Sequence, residues 1–154
     1  MDDFTLARVV HVLAIVFWIG GVAFVTLVLM PMLSKQEAPE ARLAKFAQVE
    51  GGFAWQARIW VLLAGMSGFW MAWRAEMWSR FAEPAFWWMH AMVALWVIFA
   101  AMLFVAEPVF LHRRMARSPT PARDFKRMVR MHRLLLALSA ITVFGAVGGS
   151  HGLF

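Results

Sequence analysis

Between Arg8 and Lys35 the chain carries no Lys, Arg, Asp or Glu, and all but a few residues of that interval are apolar. The hydrocarbon core of a bilayer is about 30 Å thick and takes roughly 20 apolar helical residues to cross. The run LARVVHVLAIVFWIGGVAFVTLVLMPML, about Leu6 to Leu33, is longer than that. Backbone groups in lipid must satisfy one another, so the run is expected to be a helix. It resembles a secretory leader only superficially. Asp2 and Asp3 stand where a leader has basic residues, and no small-residue cleavage site follows. A retained first span is the expectation.

The pattern recurs three times. A second span is expected from about Ala57 to Met77, with Arg58 and Arg74 near its ends. A third runs from about Ala85 to Leu111, where Pro108 should kink or end it. A fourth runs from about Met128 to His151. Together they take up the chain, which leaves one transmembrane domain over residues 1–154 and no separate soluble one. Composition agrees. A soluble domain is about half apolar and a quarter charged, whereas 62% of this chain is hydrophobic and 16% charged. The expected fold class is all-α, an integral membrane four-helix bundle. Between spans 1 and 2 lies SKQEAPEARLAKFAQVEGGFAWQAR, the only long polar stretch. Pro39 and Glu40 can open a short amphipathic helix there, with Ala41, Leu43, Ala44 and Phe46 on its apolar side and Gly51-Gly52 at its end.

Basic residues set the expected orientation. Twelve of the fifteen Lys and Arg flank the first and third connections; only Arg8, Arg74 and Arg80 lie on the other side. Both termini should therefore face outward, periplasmically in a bacterial-type inner membrane, with the basic loops cytoplasmic. The net charge of +6 then reflects topology and anionic lipid, and calls for no nucleic acid. Trp55, Trp60, Trp78, Trp87 and Trp88 fall near span ends, as an aromatic belt would.

The absence of Cys removes disulfides, thiolate metal sites, iron–sulfur clusters and covalent haem attachment. Attention passes to the five His, because ionisable groups inside a span are expensive and usually functional. His11 and His90 lie at similar offsets into two spans that run the same way, so they share a depth near the outer face. His151 sits at the outer end of the fourth span. Two imidazoles from two helices are how a bundle holds a b-type haem. His11 and His90 are thus the expected axial ligands of the iron, with His151 as an alternative. Phe17, Trp18, Phe86 and Trp87 would wall the haem, and Arg74 would pair with a propionate. His112 and His132, by contrast, fall at cytoplasmic span ends. Glu107 is expected either to pair with an Arg or to belong to a proton path. No nucleophile–base pair, phosphate loop or carboxylate dyad stands out, so haem-dependent oxidoreductase chemistry is the one enzymatic reading open.

Three stretches resemble known sequences. Arg8–Pro31, with His11, Trp18, Gly20 and Gly21, resembles the first helix of the CopD-like and HemJ-like small membrane proteins. Phe86–Phe104 is similar to the HemJ helix that begins Trp-Leu-His-x-Lys-Leu, with His90 matching its His and Met92 standing at the Lys. Arg127–Gly149 resembles the last helix of CopD-type domains. The resemblance implies a four-helix membrane bundle. Its HemJ side implies a protoporphyrinogen oxidase of haem synthesis that binds haem b. The His pair itself points to electron transfer by a bound haem, with quinone or a redox protein as partner. Its CopD side implies the alternative, a copper or other metal permease with His11, His90 and His151 as an outer metal site. The bilayer is a partner on either reading, and a homo-oligomer is left open.

Overall fold

The computed structural model describes residues 2–111 and 118–153, without the side chains of residues 108–111. His112 lies outside it, as do Arg113, Arg114 and Arg117, three of the residues behind the expected orientation. Every regular element among the described residues is helical. Helix α1 covers Asp3–Gln36, α2 Arg42–Arg74, α3 Trp87–Ala101 and α4 Pro121–Ser150. Two 3₁₀ turns, Met77–Ala82 and Pro84–Phe86, lead from α2 into α3.

Three helical stretches are long and apolar enough to cross a membrane: Asp3–Gln36, Pro84–Glu107 and Pro121–Ser150. The fold is therefore all-helical and compatible with a multi-pass membrane protein. The expected second span lies on α2 but is not among the three. Arg58 and Arg74 bracket its apolar part, and Gly65, Ser67 and Gly68 dilute what lies between. The expected short amphipathic helix is not a separate element either. Residues Leu43 and Phe46 are buried as foreseen, but the helix runs unbroken through Gly51 and Gly52 to Arg74. Glycine ends a helix when the chain turns away with positive φ. Here the next turns pack against α1, with Phe53 lying over Gly21, and the helix continues.

All four helices contribute to one buried cluster: Ala14, Trp18 and Val22 of α1, Val61 and Ala64 of α2, Leu95 and Phe99 of α3, and Leu135 of α4. A second cluster joins Leu29, Met30 and Leu33 to Leu43, Phe46, Phe125 and Met128. Aromatic rings on glycines make the close contacts. Trp96 lies on Gly65, Trp87 on Gly145 and Trp88 on Gly149, each so near that a Cβ there would fall within 2.7 Å of the ring. Helix faces outside these clusters carry large exposed apolar side chains such as Val16, Phe24, Leu27, Phe69 and Phe144. A surface of that kind seeks an apolar environment.

Two π-helical stretches interrupt the α-helical winding. In α1, Val25–Leu29 shifts register, with the Met30 N–H bonded to the Val25 carbonyl. Pro31 follows, and a wider turn relieves the clash of its ring with the preceding turn. After α3 the chain continues as a π-helix over Met102–Leu111. Pro108 was expected to kink or end this helix; the winding changes and continues through it.

Candidate functional site

His11 precedes Ala14, Trp18 and Val22 on the inward stripe of α1, so helical spacing turns it toward α2. Its Nδ1 lies 2.9 Å from the Ala64 carbonyl oxygen and 3.1 Å from Ser67 Oγ. A carbonyl only accepts, so Nδ1 carries the proton and donates it. Ser67 Oγ in turn donates to the Leu63 carbonyl. The neutral ring thus keeps its lone pair on Nε2, which has no hydrogen-bond partner among the described residues. Gly68 makes room for the ring, since a Cβ there would sit 3.1 Å from His11 Cε1. An imidazole whose Nδ1–H is fixed by a carbonyl is the usual form of a histidine ligand.

His90 is placed differently. It is exposed, on the outward stripe of α3 with Val93 and Val97, and its ring meets the edge of Phe81, 5.4 Å away between centroids. Among the described residues no hydrogen bond or ring contact joins it to His11. His151 is also exposed, with Nδ1 2.8 Å from the Val147 carbonyl one turn back. His132 bonds the Met128 carbonyl in the same local way, at 3.1 Å, and sits edge-on to Phe46. Arg74 is paired with Asp3 at 3.1 Å, and this holds the Asp3 carboxyl below its usual range. Of the expected haem walls, Trp18 is buried edge-on to Phe99, Phe17 stacks on Trp60, Phe86 packs on Trp88 and Trp87 lies on Gly145. The structure thus brings His11 into the interior and leaves His90, His151 and Arg74 nearer the surface. Among the described residues no three His, Asp or Glu side chains converge as a metal-binding group.

One feature was not foreseen, and a second was foreseen only in part. The Trp18 indole N–H is buried without a hydrogen-bond acceptor among the described residues. It lies two turns inward of His11 on the same face of α1, and a buried orphan donor is rare. The sequence could show a Trp on the core stripe, not its missing partner. The second feature is a charge cluster in the other half of α2. Arg58 forms an ion pair with Glu107, and its Nε donates to the Leu103 carbonyl at 3.0 Å. The expectation that Glu107 pairs with an Arg is met, and Arg58 is that residue. Leu103 and Glu107 both belong to the π-helical stretch. Glu50, two turns before Arg58 on α2, is pushed up to about 7 by burial and by the Glu107 charge.

No protein-family model, curated protein or solved structure matches this chain. The class that fold and site define is therefore an all-helical protein, compatible with several membrane passes, whose interior holds one oriented histidine. Nothing in these comparisons identifies a CopD-like or HemJ-like family.

Proposed function

We propose that this chain is a four-span membrane protein that binds haem b in its outer half and transfers electrons there. The observation that carries the reading is the interhelical bond from His11 Nδ1 to the Ala64 carbonyl. That bond holds the ring, fixes the tautomer and raises the basicity of Nε2, the properties an axial ligand needs. The orphan Trp18 N–H adds a donor facing the same apolar interior. Haem supplies a one-electron couple when bound, and the protein tunes it through ligand, burial and hydrogen bonds. His11 fits that group as the structure stands. His90, the second ligand on this reading, does not share a slot with it in the present packing, so its role is what the experiment decides.

The same reading places both termini outside and the basic connections in the cytoplasm of a bacterial-type inner membrane. Quinone in the bilayer or a redox protein would exchange electrons with the haem. The test is the visible spectrum of protein purified from haem-replete cells, oxidised and dithionite-reduced, beside His11→Ala and His90→Ala. A low-spin b-type spectrum lost in both variants supports the pair. Loss in His11→Ala alone keeps the haem and assigns the second ligand elsewhere. A colourless wild-type protein ends the reading.

A further inference from the structure

The outer end of α2 opens into a cleft of about 460 Å³ lined by Asp3, Trp70, Trp73, Arg74, Glu76 and Trp78. Trp70 and Trp73 meet edge to face, 5.1 Å between centroids. Trp78 is folded back by the 3₁₀ turn and braced by Phe69 on one side and Phe81 on the other. Indole faces carry negative potential and attract cations. The charges agree: two carboxylates face one guanidinium, and Asp3 already engages that guanidinium. The Glu76 side chain makes no hydrogen bond or ion pair among the described residues.

The backbone at Glu76 is a second, independent feature. Its φ of 50° makes it the one non-glycine residue in the left-handed region among those described. Glycine would take that conformation without strain. A carboxylate held there at a cost of roughly 1 kcal/mol or more points to a use for it.

We propose that this cleft binds a quaternary or methylated ammonium group, the cationic end of a zwitterionic headgroup. The three indoles enclose the cation and Glu76 supplies the counter-charge. A scattered aromatic belt would put Trp around the whole helix; Trp70, Trp73 and Trp78 converge on one cleft with a free carboxylate. The site is separate from the histidine interior and does not depend on haem.

The test titrates purified protein in an uncharged maltoside detergent with tetramethylammonium, choline and 3,3-dimethylbutanol, the neutral isostere of choline, by calorimetry. Saturable binding of both cations is expected, with none of the neutral isostere. Trp73→Leu and Glu76→Gln should each weaken binding about tenfold. Glu76→Gly should weaken binding at least as much as Glu76→Gln while raising thermal stability, which separates lost recognition from lost fold. Binding of the isostere as tight as that of choline, or an unaltered Glu76→Gln, overturns the proposal, as does absence of saturable binding in wild type. Titration in bilayers then identifies the source. Suppression of tetramethylammonium binding by phosphatidylcholine, but not by phosphatidylglycerol, assigns the site to lipid headgroups. Equal binding in both assigns it to a free ligand. Haem-loaded and haem-free protein should bind alike, so neither proposal can fail through the other.

Discussion

Two of the ties between helix α2 and its neighbours lie six residues apart, about 9 Å along the axis, and differ in kind. Toward α1 the tie is neutral: His11 donates to the Ala64 carbonyl, with Ser67 alongside. Toward the π-helical stretch that follows α3 it is ionic: Arg58 spans the Leu103 carbonyl and Glu107. The neutral tie costs little to bury and leaves a ring nitrogen open for a ligand. The ionic tie commits its groups to one another and brings a second carboxylate, Glu50, into their field. Chemistry is thus available in the half of the molecule near His11, while the half near Arg58 is sensitive to charge balance.

Removing one charge should give the largest effect. The side chains of Arg58 and Glu107 are only 28% and 13% exposed. Arg58→Ala takes the guanidinium away from the largely buried Glu107 carboxylate, and breaking such a pair costs about 3 kcal/mol or more. The double variant Arg58→Met/Glu107→Gln should be less damaging than the single one. Denaturant unfolding in detergent measures both, and a silent Arg58→Ala would erase the contrast between the two ties. Glu50→Gln comes next. Burial raises the Glu50 carboxyl from 4.5 to about 7, so the folded protein binds this proton more tightly than the unfolded chain. Its contribution is whole below pH 4.5 and is lost as pH rises through 7. At pH 8 Glu50→Gln should be more stable than wild type by up to about 3 kcal/mol, and the two should converge toward pH 4.5. No change with pH would remove Glu50 from the cluster.

The helices were legible in the sequence because charge-free runs leave few alternatives. That His11 lies on an apolar helix was legible for the same reason, while its direction toward α2 is seen only in the packing, where Nδ1 meets the Ala64 carbonyl. The direction of His90 was not legible either. Depth along a helix can be counted, but rotation about its axis depends on which face meets a neighbour. Trp87 and Trp88, seated on Gly145 and Gly149, turn His90 outward. Continuity of α2 through Gly51-Gly52 was hidden likewise, because packing outweighed a local stop signal. The Arg58–Glu107 pair needed two helices brought together, and no spacing within one chain segment reports that.

Glycines sharpen the comparison at smaller scale. Gly149→Leu must displace Trp88, whose ring comes within 2.4 Å of a Cβ built there. Overpacking of this kind costs about 1–3 kcal/mol. Gly20→Ala meets nothing within 4 Å and should stabilise the helix by roughly 0.5–1 kcal/mol. Thermal unfolding of both variants distinguishes a glycine that admits a ring from one that merely faces outward.

The smallest effect on stability should come from Asp3→Asn. Asp3 and Arg74 are about half exposed, at 47% and 55% of their side chains, and solvent and salt screen such pairs. Arg74 lowers the Asp3 carboxyl, so any contribution is present at neutral pH and is lost only as pH falls through that lowered value. At pH 7 the melting temperatures of variant and wild type should coincide. The cleft should respond nonetheless. Asp3→Asn releases Arg74 and removes one of two carboxylates, leaving Glu76 to face an unengaged guanidinium. Tetramethylammonium binding should then weaken in a protein whose stability has not moved. A matching fall in both would mean that the ion pair serves the fold; a fall in binding alone would mean that it sets the charge of the cleft.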